Sequence, residues 1–405
     1  MSKKCILTYL HYYAEPNGYT RSCCIARDNI IDHAGNKLSV TNNTFDEVIN
    51  SDYMKQLRKN LENGLLDNNC QVCWTDEKNG KESKRQRYNK LYSDVYDIHT
   101  SSYDKTDDIV DMQLALGNTC NLKCRTCAPS HSSKWAAEFR DRFGKESVDE
   151  NLTYSLKNSK LFSDIDNWSK TVKRIEIMGG EPFYSNDFKL LIDKLSLSEF
   201  SKDISLNLST NGTIFNDELI HKIIDKFGHV GINISIDGIG DQFDYIRHGN
   251  SWENVKSNLD KFYNLFETIT ENFSMAATIT ISNLNFYYLR DIHLFFEENY
   301  PGWRLSNNLV HWPSHYSAAN IPDSIKEKYL ERVTNPEKYD MPAWNTEKYT
   351  TFIKPLVEHA QQPFNELHWH SFLSITKDVD DYRKEKFAFA FPQLFKLLED
   401  ENTYI

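Results

Sequence analysis

Three cysteines fall within eight residues in the stretch GNTCNLKCRTC, at Cys120, Cys124 and Cys127. Thiolates bind metals, and a loop that supplies three leaves one coordination position open where a closed structural zinc site would take four. At this spacing they can hold three irons of a cubane cluster and leave the fourth free for chemistry. Buried thiols or a zinc site are the plainer alternatives. Further on, Met178-Gly179-Gly180-Glu181-Pro182 follows the apolar run RIEI. Its glycines let a ligand approach the backbone, and Glu181 offers an acceptor for an ammonium group. Ser209-Thr210-Asn211-Gly212 and Ser235-Ile236-Asp237-Gly238 end the next two apolar runs with small groups suited to ribose hydroxyls and a carboxylate. Taken singly, each of these turns would be an ordinary cap.

A second set of cysteines lies nearer the N-terminus. Twelve residues separate Cys5 from Gly18 and four separate Gly18 from Cys23; Cys24 adjoins Cys23, and Cys70 and Cys73 form a Cys-x-x-Cys pair. The opening MSKKCILTYLHYYAEPNG has no apolar signal core, which implies a cytoplasmic, reducing location. There, cysteines serve as metal or catalytic groups rather than disulfides. For this second set a tetrahedral zinc site of four thiolates stands beside an iron-sulfur cluster as an alternative.

Elements of regular structure must place these groups. MQLALGN, RIEIMGG, DISLNLSTNG, GINISIDG, FSMAATITIS and RLSNNLV alternate with helical patterns, which predicts β-α units with parallel strands. The motifs all fall at the strands' C-terminal ends, where functional side chains gather in such folds. Six units are too few for a closed eight-stranded barrel, so the fold class is α/β with an open, partial (β/α)6 barrel. Ahead of it, CILTYLHYY and YTRSCCIA read as hairpin arms around Asn17-Gly18. A helix is expected over FDEVINSDYMKQLRKNLENG, ended by Gly64. The division expected is a small cluster-binding module over 1–92, a polar linker over 93–111, the barrel over 112–312 and a helical, aromatic segment over 313–405. The helices of that last segment are IKEKYLERV, YTTFIKPLVEHA and FPQLFKLLEDE. With 405 residues, 40% hydrophobic and 26% charged, the composition is that of a soluble globular protein, and no apolar run reaches membrane-span length. A net charge of -11 argues against a broad phosphate-binding surface, so neither a nucleic-acid partner nor, with no membrane-span run, a membrane is expected.

The sequence C-NLK-C-RT-C, followed by Gly-Gly-Glu-Pro one β-α unit later, resembles the radical S-adenosylmethionine (SAM) superfamily. The resemblance implies that Cys120, Cys124 and Cys127 ligate three irons of a [4Fe-4S] cluster whose fourth iron is chelated by SAM, and that the cluster reductively cleaves SAM to a 5'-deoxyadenosyl radical. It implies a SAM site formed by Gly179, Gly180, Glu181, Ser209, Asn211, Ser235 and Arg247, with Arg247 and Ser235 on the SAM carboxylate and Asn211 near the ribose. Thr126 departs from the aromatic residue many members carry before the last cysteine. The N-terminal spacing is similar to a SPASM pattern in its shortened twitch form, which implies one auxiliary [4Fe-4S] cluster on Cys5, Cys23, Cys70 and Cys73, with Cys24 as a substitute. Such enzymes draw electrons from a flavodoxin or ferredoxin, and members with auxiliary clusters often modify a peptide or protein. A peptide or protein substrate is therefore the first expectation, docked in part by the basic run Lys81-Glu82-Ser83-Lys84-Arg85-Gln86-Arg87. A dehydrogenase of a sugar or aminocyclitol is the second, and a non-catalytic iron-sulfur or zinc protein the third. His311, His315, His368 and His370 lie among aromatics and read as packing, and Asn307, Asn308 and His311 as possible substrate contacts.

Overall fold

Short runs in which apolar residues alternate with polar ones, each closed by a turn, build one sheet. The structure is a computed structural model that describes residues 3–94, 104, 106, 109–269, 271–335 and 346–401. Its strands are β1 (His11–Ala14), β2 (Thr20–Arg21), β3 (Asp111–Ala115), β4 (Arg174–Met178), β5 (Ser205–Thr210), β6 (His229–Ser235), β7 (Phe273–Ile281) and β8 (Arg304–Leu309). They lie in the order β2-β1-β3-β4-β5-β6-β7-β8. From β1 to β8 every neighbouring pair is parallel, and β2 alone runs antiparallel, on β1. In β4, β5 and β6 the buried residues alternate with half-buried ones. Ile175, Ile177, Leu206, Leu208, Val230, Ile232 and Ile234 form the buried set, each contributing about 1.5–3 kcal/mol by leaving water. The alternate residues, among them Glu176, Asn207 and Asn233, face the lumen of the open barrel.

All six expected strands form, and the expected hairpin forms beside them with a difference. Gly18 turns it at a φ of +84°, and an added Cβ there would meet the Tyr154 ring at 3.1 Å. The hairpin does not stand apart from the barrel: β1 extends the barrel sheet, with His11 opposite Asp111 and Ala14 opposite Leu114. Asp111 fastens this joint. Its carboxylate lies 2.5 Å from His11 Nδ1 and accepts from the Tyr92 hydroxyl at 2.9 Å and from Arg174 at 2.7 Å. Burial alone would raise its pKa, but the contacts with His11 and Arg174 outweigh burial and hold the group well below the usual carboxylate range.

The single helix expected after the hairpin is two, Phe45–Ile49 and Asp52–Glu62, because Ser51 turns out of the first and caps the second, accepting from Met54 N–H. Most of the expected linker lies outside the described residues. Helices Asp323–Thr334, Thr346–Ala360 and Pro392–Asp400 form where expected, and a fourth, Glu366–Arg383, holds the LHWHS stretch. These C-terminal helices tie into the rest of the chain. Asn307 donates from Nδ2 to Phe352 O at 2.6 Å; Arg383 donates to Glu138, Arg142 pairs with Asp378, and Lys81 reaches Glu358 at 3.6 Å. Among the described residues no helix is long and apolar enough to cross a membrane.

Candidate functional site

Beyond β3 the chain turns at Gly117, where φ is +76° and a Cβ would stand 2.6 Å from Thr153 Oγ1. The loop that follows is held mainly by its backbone. Cys120 N–H donates to Ser133 Oγ at 3.1 Å and the Trp135 indole donates to Cys127 O at 3.0 Å. Lys123 and Arg125 donate their N–H groups to His248 O and Ile246 O, each at 2.8 Å. Cys120, Cys124 and Cys127 are thereby gathered at the C-terminal end of the sheet. Burial pushes their thiols up, that of Cys127 to about 11; Cys120 raises both Cys124 and Cys127, Glu181 raises Cys120, and the Arg247 charge pulls all three down. Thiols so placed stay protonated until a metal displaces the proton.

The Gly-Gly-Glu-Pro turn packs directly on this loop. Gly179 and Gly180 adopt φ values of +81° and +57°, and a Cβ on Gly180 would fall 2.3 Å from Thr119 O. Glu181 N–H donates to the same Thr119 carbonyl at 2.8 Å. The Glu181 carboxylate is fully buried. It accepts from Thr210 Oγ1 at 2.6 Å, Asn211 N–H at 2.6 Å and Phe183 N–H at 3.2 Å, so three of its roughly four acceptor positions are taken. Burial nonetheless pushes its pKa up to about 7, against these bonds and the Arg247 charge. Asn211 in turn donates to Asn121 Oδ1 at 2.9 Å, with its Nδ2 4.0 Å from Cys120 Sγ.

Arg247 is buried and its charge is felt at Cys124 and Cys127. Asp237 holds it, accepting from Nε at 2.9 Å and from Nη2 at 2.8 Å on one oxygen while the other accepts Thr280 N–H at 2.8 Å. Asp237 therefore anchors Arg247 and β7 and does not face a substrate. Ser209 and Ser235 are half-buried on the lumen side of β5 and β6. Asn307 points out of the lumen, toward Phe352, whereas Asn308 is exposed. The His311 and His359 rings lie 4.9 Å apart in an edge contact, and His315 lies against Tyr316.

Sequence reasoning missed Arg125, which sits between two of the three cysteines. It is fully buried, stacks on Tyr245 at 3.7 Å and donates to Asp380 and Glu385, each at 2.5 Å. Glu385 also lies 2.5 Å from His248 Nδ1. Its acidic partners are separated from it by 255 and 260 residues, beyond the reach of any local pattern.

The second set lies at the other end of the sheet, since Cys5 precedes β1 and Cys23 follows the antiparallel β2. Cys5, Cys23, Cys70 and Cys73 line one small cavity together with Lys84 and Arg85. Burial pushes Cys5 up to about 12 and Cys23 up to about 11. Cys24 does not line the cavity, and its Sγ accepts from Lys84 Nζ at 2.8 Å. Arg85 chelates Glu77 at 2.9 Å from both Nε and Nη2. With Lys81 on Glu358, three of the run's four cations are thus engaged within the protein. Among the described residues no three His, Cys, Asp or Glu side chains converge tightly enough for a single metal ion. Thiolates around one zinc stand about 3.8 Å apart, as tetrahedral bonds of about 2.3 Å require; the corners of a cubane stand wider. Two sets of buried and half-buried thiols, each with cationic side chains nearby, have the donor chemistry that anionic thiolate clusters need.

Residues 114–279 match the family model described as the Radical SAM superfamily. The chain is similar to GTP 3',8-cyclase of Campylobacter lari, 26% identical over 176 residues that make up 43% of this chain and 48% of that protein. It is similar to GTP 3',8-cyclase of Staphylococcus aureus, 32% identical over 135 residues, 33% of this chain and 35% of that one. The chain thus spans half or less of the length of these curated relatives. A solved structure described as native anSMEcpe with bound AdoMet covers 57% of this chain and 62% of its own, with 15% identity and a TM-score of 0.37. Over residues 114–279 the chain carries a domain of the radical SAM superfamily, whose cofactors are a [4Fe-4S] cluster and SAM.

Proposed function

We propose that the protein is a radical SAM enzyme that reductively cleaves SAM and takes a hydrogen atom from a peptide or protein segment. The observation that carries the reading is the interlock at the barrel mouth, where the Gly179-Gly180-Glu181 turn is seated on Thr119 of the three-cysteine loop. Bound there, the cluster and SAM supply one-electron cleavage and a carbon radical; the protein supplies orientation and a dry, charged wall. Cys120, Cys124 and Cys127 are the cluster ligands in this reading. The backbone at Gly179 and Gly180 leaves room for the methionyl part of SAM. Glu181 braces that turn against β5 and keeps one acceptor position for its ammonium group. Arg247, aimed by Asp237, meets the SAM carboxylate as a charge-assisted donor, and Ser209, Asn211 and Ser235 line the nucleoside side. Cys5, Cys23, Cys70 and Cys73 hold an auxiliary cluster around their shared cavity, and Cys24 serves as the partner of Lys84 instead. A flavodoxin or ferredoxin delivers the electron.

A small-molecule substrate is the second reading. It is favoured by the name of the GTP 3',8-cyclase relatives and by the internal engagement of Lys81, Lys84 and Arg85, which takes up three of the four cations of the expected peptide-docking run. The test is anaerobic reconstitution, which should load about eight irons per chain, followed by dithionite and SAM. Formation of 5'-deoxyadenosine is expected, and none from a fully loaded protein would overturn the proposal. Deuterium passing into 5'-deoxyadenosine from a labelled peptide supports the first reading; transfer from a labelled small molecule with no peptide present replaces it with the second.

A further inference from the structure

The lumen of the open barrel holds a cavity of about 430 Å³ between β4 and β8, a volume in the range of ligand sites. Its walls differ in character. On the β6–β8 side stands Arg304, exposed on β8 and in register with Ala276, and through it with Asn233 and Ser209. The Arg304 guanidinium has no hydrogen-bond or ion-pair partner among the described residues, and neither do the Ser209 and Ser274 hydroxyls. Asn233 accepts from Thr278 through Oδ1, which leaves its amide hydrogens turned to other use. Gly231 widens this wall, because a Cβ there would lie 2.6 Å from Asn207 Oδ1. This side is rich in donors and carries one uncommitted positive charge.

The β3–β4 side is the reverse. Arg174 is consumed by Asp111 and Glu176, and Glu176 takes Arg174 and Gln113 on Oε2 alone, leaving Oε1 as an acceptor. Gln113 is buried and its Oε1 has no donor. A buried amide oxygen without a partner is costly unless a ligand or water completes it. A guanidinium with hydroxyl and amide donors around it fits an oxyanion, and the opposite wall fits a hydroxyl or amine on the same molecule.

We propose that this lumen cavity is the seat of a carboxylate- or phosphate-bearing portion of the substrate, with the anion on Arg304, Asn233 and Ser274 and a hydrogen-bond donor on Glu176. The inference rests on the reading that hydrogen is taken from a substrate held in the barrel, and it makes that substrate acidic. The cavity admits a single acidic side chain of a peptide or a small free acid, and the two share this chemistry.

Calorimetric titration of the anaerobically reconstituted full chain tests it, with glutarate, inorganic phosphate and an acidic heptapeptide as separate probes at matched ionic strength. Saturable binding of at least one probe is expected. Arg304→Ala should weaken it by about 10- to 100-fold, the loss of one or two charge-assisted hydrogen bonds. Arg304→Lys should recover part of it, because it restores the charge without the fork. Arg304 is exposed on the last strand of the sheet, and a melting curve for each variant checks folding. Binding of glutarate assigns a small carboxylate, of phosphate a phosphoryl group, and of the heptapeptide alone an acidic residue in a longer chain. No saturable binding by the parent, or equal affinity in Arg304→Ala, overturns the subsite. The titration requires no SAM cleavage, so its failure is distinct from a failure to form 5'-deoxyadenosine, which would count against the enzyme reading itself.

Discussion

Neutralising Asp380 and Glu385 together, as Asp380→Asn with Glu385→Gln, should destabilise the protein more than removing the arginine they bind. The reason lies in what each change leaves behind. Arg125 is fully enclosed, with its side chain at 0% exposure and both carboxylates at 2.5 Å. Stripped of those charges, the guanidinium keeps neutral partners alone, the Tyr245 carbonyl at 3.2 Å, the Tyr245 ring, Tyr316 and the two new amide oxygens, and none of them balances its charge. Breaking a buried pair from one side costs about 3–5 kcal/mol, because an uncompensated charge stays in the interior. In Arg125→Met the acids remain, and they have other partners. Asp380 still accepts from Tyr245 Oη at 2.7 Å and Phe387 N–H at 2.8 Å, and Glu385 still lies 2.5 Å from His248. Both are also partly reached by water, with side chains 12% and 17% exposed. That loss should be about 1.5–3 kcal/mol, the scale of a hydrogen bond to a charged group. Urea unfolding of the reduced apo-protein, read by fluorescence and circular dichroism with the slope held constant, measures both. The pH dependence follows. Burial would raise the Glu385 pKa, but the His248 and Arg125 contacts outweigh it and depress the group below its ordinary value. Its contribution is therefore present above the unfolded carboxyl range and is lost as pH falls through the depressed folded pKa. The gap between parent and double variant should narrow in acid. An Arg125→Met midpoint as low as that of the double variant, or a gap independent of pH, refutes the reasoning.

Gly180→Ala places a Cβ 2.3 Å from a backbone carbonyl at positive φ, so it should abolish SAM binding in equilibrium dialysis while leaving the N-terminal cysteines able to take up iron. Asp237→Asn removes the charge that aims Arg247 and should weaken SAM binding about 10-fold with no loss of iron, measured on the reconstituted protein. Cys24→Ser should keep the full iron content, whereas replacing Cys5, Cys23, Cys70 and Cys73 by Ala should halve it; iron assay and electron paramagnetic resonance of the reduced protein read both. Asp111→Asn should lower the melting temperature, since it leaves His11 and Arg174 facing a neutral group, and should flatten the acid limb of the stability curve.

Three of the barrel strands, β4 to β6, were legible because they wear their burial on alternate residues, as in RIEIM and HVGINIS, where a period of two marks one wet face and one dry; β3 and β7 were legible as short, mostly apolar runs. The cysteine loop and the Gly-Gly-Glu-Pro turn were legible because ligand types and glycines are local signals. Their interlock was not, since nothing in either stretch shows that Thr119 O occupies the space a Gly180 side chain would need. The hairpin around Gly18 was read correctly, but its pairing with β3 depends on hydrogen bonds between backbones a hundred residues apart. The role of Asp237 also escaped, because a carboxylate at a strand end looks alike whether it meets a substrate or an arginine. The Glu366–Arg383 helix has a weakly amphipathic sequence, ELHWHSFLSITKDVDDYR, and its use of Asp380 as a latch appears only once the chain has folded back.

Because β1 is stitched to β3, the protein's two ends of synthesis are not interchangeable. The segment His11–Ala14 leaves the ribosome with its eventual partner still about a hundred codons downstream in the message. At about 5–20 residues per second, that is a wait of about 5–20 s during which an apolar, two-faced strand has only β2 for company. Once paired, β1 caps the edge that β3 would otherwise present to other chains. A protein trimmed of its first 92 residues would therefore lose an edge guard as well as five cysteines, and its tendency to self-associate would report that loss before any measurement of chemistry.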